Sequence, residues 1–403
     1  MLLKIRRISY AAFAAVLATG CGDVFTSTPA DSELLDAPIE GLTSTELAAF
    51  LRGDVEFGRR FSVVTGLGPI FNNVSCAACH SGDGRGRPDN ALSRIGSAAD
   101  DFLRPLGGPQ IQTQAVPGVV PEFVPSGVAV SLRLPPPVFG VGLLEAVPVA
   151  TVLALADPND ANGDGISGRP NWVNPAPYVS STELGGGAGP QLGRFGRKAA
   201  VSSLLEQTVS AYHQDMGITS LQLPDENENP LSPVGRISDA AADPEVSHNT
   251  VQSVVHYLRT LAAPTPGPET ADRVLGRQLF QQAKCAACHT PQLTTGASTV
   301  AALSNKTIAA YSDMLLHDMG PGLADNRPDA AATGSEWRTP PLWGLRLMRK
   351  FLNGDAFLLH DGRARSVDEA IRLHGGEAAM SRDAYVALTP AQRAALLAFV
   401  ESR

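Results

Sequence analysis

The apolar positions of this chain fall into short helical stripes separated by long stretches rich in Gly and Pro. In "DRVLGRQLFQQAKCAACH", Val274, Leu275, Leu279 and Phe280 recur at the three- and four-residue spacing of one helix face. Near the start, "ELAAFLRGDVEFGRRF" carries a similar pattern and leads into a Gly-containing loop, "GLGPIFNN". Two apolar helices close what read as two halves of the chain: "NTVQSVVHYLRTLAAP", up to Ala263, and "TPAQRAALLAFVESR", with Thr389 as N-cap and Pro390 at N1. A further helix is expected in "RARSVDEAIRLHGGEA", with Ser366 as N-cap, Glu369 completing a capping box, and Ala370, Ile371 and Leu373 on its apolar side. The Pro-rich "APTPGPET" reads as a linker. The pattern therefore predicts an all-α fold in two domains, 39–263 and 271–403, joined at 264–270. The first is lengthened by an insertion between about 83 and 235.

Composition supports long ordered loops between short helices, with 39 Gly and 31 Pro among 403 residues. The chain opens with Lys4, Arg6 and Arg7, an apolar run from Ala11 to Leu17, and "LATGC" ending at Cys21. That run is far short of the ~20 residues of a membrane-spanning helix and reads as a signal peptide. The small residues before Cys21 resemble a bacterial lipobox. The resemblance implies a signal peptide at 1–20, a lipidated Cys21, and a tether over 21–38. The protein would then be an exported lipoprotein facing the periplasm, on the outer membrane and touching it through the lipid anchor only. The alternative is an ordinary secretory signal with Cys21 unpaired. Net charge is −8, and about −11 without Lys4, Arg6 and Arg7, which argues against a nucleic-acid partner.

The four cysteines beyond Cys21 form two identical segments, Cys-Ala-Ala-Cys-His, ending at His80 and His289. Local disulfides, a redox-active pair or a zinc site are alternatives in an exported chain, but none of them requires a histidine directly after each pair. Covalent c-type haem does: two thiols three positions apart reach the two vinyl groups, and the next residue ligates the iron. The reading is two covalently bound c-type haems, on Cys76, Cys79 and His80, and on Cys285, Cys288 and His289. Each half then becomes a cytochrome-c-like haem domain.

In the insertion, "DPNDANGDGISGR" alternates Asp160, Asn162 and Asp164 with small residues before Gly165, a candidate calcium loop without the bidentate Glu of an EF-hand. An Asx-turn loop holding no ion is the alternative. His213 and His256 read as packing or surface groups, and His248 as a polar residue at a helix start. His317, Met314 and Met319 are haem-ligand candidates by residue type alone.

Taken with these domains, "EWRTPPLWGL", "FLLHDGRARSVDEAI", "GRFGRKA" and "DMGITS" resemble the bacterial di-haem oxidoreductase family, which is related to di-haem cytochrome c peroxidases and MauG-type enzymes. The resemblance covers essentially the whole mature chain. It implies a peroxidase-like di-haem oxidoreductase in which electrons pass from the C-terminal haem to a peroxide-reactive N-terminal haem, served by a redox partner protein. It maps Gln207 and Asp215 of "FGRKAAVSSLLEQTVSAYHQDMG" to the pocket of the first haem, the carboxylate to move a proton and the amide to orient peroxide. The match departs from the relatives in having Asp for Glu, in a spacing two residues shorter, and in Arg197 standing near their haem-linking tryptophan. A solvated Gln207 and a turn-capping Asp215 are the alternative. Counting fourteen residues from His360, as in the relatives, places His374 as the sixth ligand of the second haem. A helix-terminal His is the alternative there. Two other functions fit the same residues, MauG-like oxidation of a protein or metal-associated substrate, and a non-catalytic electron-transfer lipoprotein.

Overall fold

The computed structural model describes residues 35–403 apart from 81, 83, 97–102, 182, 184–186 and 234–240, so Cys21 and its flanks lie outside the described residues. Among the described residues the helices are α1 (Ser44–Gly58), α2 (Cys76–Cys79), α3 (Val141–Glu145), α4 (Val149–Leu153), α5 (Leu204–Met216), α6 (His248–Thr260), α7 (Ala271–Gln282), α8 (Leu345–Phe351), α9 (Val367–Leu373), α10 (Ala379–Ala387) and α11 (Pro390–Val400). None is long and apolar enough to cross a membrane.

Helix starts follow local chemistry. Thr43 and Thr389 each accept from the amide three residues on, and Glu46 and Gln392 return the bond to the cap's own amide. At α9 the expected box is only half formed. Ser366 Oγ accepts from the Glu369 amide at 3.1 Å, but the Glu369 carboxylate accepts from Arg365 N at 2.7 Å, one residue before the cap.

Among the described residues helix makes up 34% and strand 11%, so the chain is mainly helical rather than all-α. The strand residues form five two-stranded antiparallel ribbons. Two lie within the expected insertion, β2 (Leu92–Ile95) with β4 (Val130–Arg133) and β5 (Trp172–Val173) with β6 (Gln191–Leu192), and a third pairs β1 (Ile70–Phe71), ahead of it, with β3 (Gln114–Ala115) inside it. The other two are β7 (Leu293–Thr294) with β8 (Thr307–Ile308), and β9 (Leu316–Asp318) with β10 (Glu336–Arg338). Elements of two to four residues are too short to register an alternating pattern, which is why the sequence reads as helix and loop alone.

The same crossing organises both halves. α1 packs on α6 and α7 packs on α11. Each crossing is made at a glycine: a Cβ on Gly53 would meet Ser253 O and Tyr257 Cβ, and one on Gly276 would meet Ala395 O and Phe399 Cβ. This corrects the face expected for α7. Gly276, Leu279 and Phe280 are buried, whereas Val274 and Leu275 stay 37% and 41% exposed, because the backbone contact at Gly276 turns them outward.

The buried core does not divide at 264–270. Leu293, Leu303, Ile308, Met314, Leu315 and Trp343 pack in one cluster with the α1, α5 and α6 side chains. A second cluster is built on α7, α9 and α11, around Phe280, Val367, Leu396 and Phe399.

Candidate functional site

Two cavities of about 180 and 200 Å³ lie in the two halves. The first is bordered by Cys76, Cys79 and His80, with apolar walls from Phe57, Val141, Leu144, Leu204, Val254 and Leu258. The second is bordered by Cys285, Cys288 and His289, with Phe280, Leu345, Leu358, Val367, Ile371 and Leu396. None of these four cysteines forms a disulfide. Burial pushes the Cys79 and Cys285 thiols up to about 12, so both carry their protons.

Each half places its histidine in the same way. His80 Nδ1 bonds to Pro136 O at 2.8 Å, and His289 Nδ1 bonds to Tyr311 O at 2.9 Å. A carbonyl accepts, so Nδ1 carries the proton and the Nε2 lone pair is left for a ligand. Burial lowers both imidazoles to about 4, which keeps them neutral. Phe57 lies 6.1 Å from the His80 ring and Phe280 lies 6.4 Å from the His289 ring. The two phenylalanines stand four residues after the crossing glycines, so Gly-x-x-x-Phe is a second motif written in both halves. The sequence reading missed it, although aligning the stretches before the two cysteine pairs would have found it.

The cavities differ in their remaining walls. α9 brings His374 into the His289 cavity. Its Nδ1 bonds to Ala370 O at 2.7 Å, one helical turn back, which again leaves Nε2 uncommitted, and burial lowers its pKa. The backbone after it is tightly seated: a Cβ on Gly376 would fall on Asp318 O, and one on Gly375 would lie 2.9 Å from Met319 O. Glu377 accepts from Ser167 Oγ at 2.6 Å and from Asp318 N at 3.2 Å, and pairs with His317 Nδ1 at 2.8 Å.

Of the other ligand candidates, Met319 borders the His289 cavity, whereas Met314 is buried in the larger core cluster. His317 also borders the cavity, but both of its nitrogens are engaged, Nε2 with Asp313 at 2.8 Å and Nδ1 with Glu377. Burial opposes charge on this ring, yet its hydrogen bonds to Asp313, Cys288 and Glu377 lift it to about 12. His317 is therefore a fixed cation with no lone pair to offer.

The His80 cavity is walled by α5, which presents Leu204, Gln207, Thr208, Ala211 and Asp215 at helical spacing, with Met216 beside them. Gln207 and Asp215 thus share one wall. Asp215 stands toward the thiol edge: its charge is felt at Cys79, and Asn72 N and Asn73 N donate to its backbone carbonyl. Gln110 Nε2 donates to its Oδ1 at 2.6 Å. Burial raises the carboxyl to about 6, against the Gln110 hydrogen bond and the Arg94 charge. Met216 was not singled out from the sequence.

The loop read as a calcium site directs its side chains inward to its own backbone. Asp160 accepts from Gly165 N at 3.1 Å, Asn162 from Asp164 N at 2.9 Å, and Asp164 from Ile166 N at 3.0 Å. The Asn162 and Asp164 bonds, each to the amide two residues on, are Asx turns. His213 and His256 bond to Asp225 O and Glu46 O, each at 3.0 Å, and His248 to Gln222, roles in local structure.

Further residues line the region beside the cavities. Trp337 and His360 stack at 3.7 Å and 9°, with Lys198 Nζ 4.4 Å from the indole centroid. Arg85, Arg197 and Arg338 border both cavities, together with Pro340 and Pro341.

Free paired thiols, imidazoles with Nε2 uncommitted, and apolar walls all fit a covalently attached haem in each cavity. A family described as "Di-haem oxidoreductase, putative peroxidase" matches residues 15–98 and 111–403. No curated protein matches. Among solved structures, the chain is similar to Kuenenia stuttgartiensis hydrazine synthase, studied under xenon pressure, at 15% identity and a TM-score of 0.40, with 100% of each chain covered. It is also similar to a MauG-like protein associated with microbial copper homeostasis, at 15% identity and a TM-score of 0.38, covering 92% of this chain and 91% of that one.

Proposed function

The chain belongs to the di-haem oxidoreductase family, and from that premise we propose a c-type di-haem enzyme of the peroxidase type, in two cytochrome-c-like halves. The His289 site serves electron entry from a redox partner protein, and the His80 site reduces peroxide. The observation that carries this division is the inequality of the cavities: His374 borders the second beside His289, whereas among the described residues His80 is the only imidazole bordering the first. A haem at each position would supply the one-electron and peroxide chemistry.

The chain's own groups have separable tasks. The paired thiols would hold each haem by adding S–H across its vinyl groups, with no net oxidation or reduction. His80 and His289 would ligate iron through Nε2, and His374 would do the same at the second site. At the first site Asp215 titrates near pH 6, so it can take a proton from incoming peroxide and return it to the departing oxygen. Gln207 orients the peroxide. Attachment through Cys21 would hold the enzyme at an outer-membrane surface facing the periplasm. Loss of fatty-acid labelling in Cys21→Ser is the expected result there, and labelling that persists would refute the anchor.

Visible and EPR spectra of purified holoprotein test the main reading. One high-spin and one low-spin ferric signal are expected, with only the high-spin signal responding to peroxide. Two low-spin signals indifferent to peroxide would make the protein an electron carrier instead.

A further inference from the structure

The chain pairs most of its buried cations with acids. Arg133 and Arg327 meet Asp329, Lys198 Nζ lies 2.8 Å from Asp325, and Arg259 Nε lies 2.6 Å from Glu145. The wall between the two cavities breaks that habit. Arg85 and Arg197 are 5% and 7% exposed, and with Arg338 they border both cavities. Every side-chain hydrogen bond the three make ends on a backbone carbonyl: Arg85 on Leu359 O at 2.8 Å, Arg197 on Leu134 O at 2.7 and 3.0 Å, and Arg338 on Gly196 O and Thr339 O, each at 3.2 Å. Arg85 Nε has no partner. Burial holds the Arg197 guanidinium well below its ordinary range, and the charges of Arg85, Arg338 and Arg133 push it the same way.

Two buried like charges with a half-buried third beside them are costly unless anions meet them. The carboxylates of the described chain do not supply those anions at contact distance, whereas a haem brings two carboxylate side groups of its own. We propose that Arg85, Arg197 and Arg338 form one shared counter-charge for the carboxylates of both haems, so that a change at this wall alters the two redox centres together. The proposal rests on the di-haem reading above. It also gives Arg197 a role of its own near where the related enzymes carry tryptophan. That role is an electrostatic link rather than an aromatic one.

The test is spectroelectrochemical titration of the holoprotein after intact mass has counted its haems. Removing a cation favours ferric iron, so Arg197→Gln should lower both midpoint potentials, and Arg197→Lys should restore most of each shift. Arg194 borders only the His80 cavity, and its Nη1 donates to Leu144 O at 3.0 Å. Arg194→Gln should therefore lower one potential and leave the other. Arg338→Gln, at a half-buried position, gives the same reading if Arg197→Gln does not fold. Two haems of which Arg197→Gln and Arg338→Gln shift only one, or neither, would overturn the shared wall alone. A parent protein with fewer than two haems would overturn the di-haem reading and this proposal with it.

Discussion

The two Cys-Ala-Ala-Cys-His segments are identical, and their immediate supports nearly so: a crossing glycine, a phenylalanine four residues on, and a carbonyl fixing the histidine Nδ1. The cavities they border nevertheless differ, because their far walls come from unrelated helices. α9 ends in an imidazole seated against its own backbone, whereas α5 contributes an amide, a carboxylic acid and a thioether. On the proposed reading the repeated motif would specify attachment, and the chemistry at each site would be set elsewhere in the chain, by α9 in one half and α5 in the other.

That contrast can be broken at several levels. The largest effect is expected from removing one thiol pair. Cys285→Ser with Cys288→Ser should lower the intact mass by one haem and spare the His80 site, and a protein that loses both haems would show that the halves do not load independently. Next, His374→Gly should convert the low-spin ferric signal to high-spin, while Met216→Leu changes no signal. A spin-state change in Met216→Leu would mean that both sites are closed and the asymmetry is absent.

Asp215→Asn should slow the peroxide reaction about 100-fold or more with both haem spectra kept. With its carboxyl raised to about 6, Asp215 is protonated below that pH and a base above it, so the parent's rate should climb through pH 6. A rate limb near pH 6 that survives in Asp215→Asn would remove this residue from proton transfer. The smallest effects concern the supports. Gly53→Ala and Gly276→Ala should each lower stability by roughly 1–3 kcal/mol, read as a fall in Tm, since a methyl would be forced against backbone at both crossings. A clear loss in only one of them would show that the crossings are not equivalent.

Helix positions and caps were legible because capping and periodicity are local, as at Thr389 and α6. The thiol pairs were legible through spacing, whereas His374 came from the family resemblance. What the sequence concealed is non-local. Nothing in the neighbourhoods of positions 85, 197 and 338 indicates that three arginines share a wall. The exposure of Val274 and Leu275 follows from the partner helix rather than from the stripe they belong to. The Asp160 loop has the residues of a cation site, and the bonds its side chains make to their own backbone follow from a bend that the spacing alone does not record. The ribbon that sets His317 opposite Trp337 depends on pairing between β9 and β10, which no single stretch records.

The seating of the segment after His374 has a kinetic consequence. Gly375 and Gly376 lie directly on the 318–320 backbone, and Glu377 is held by Ser167, His317 and the Asp318 amide. An imidazole carried on such a support has little freedom to swing when the charge beside it changes. A redox centre built on His289 and His374 would then pass between oxidation states with little structural reorganisation, so the speed of electron delivery would depend on the approach of the donor rather than on motion within this protein.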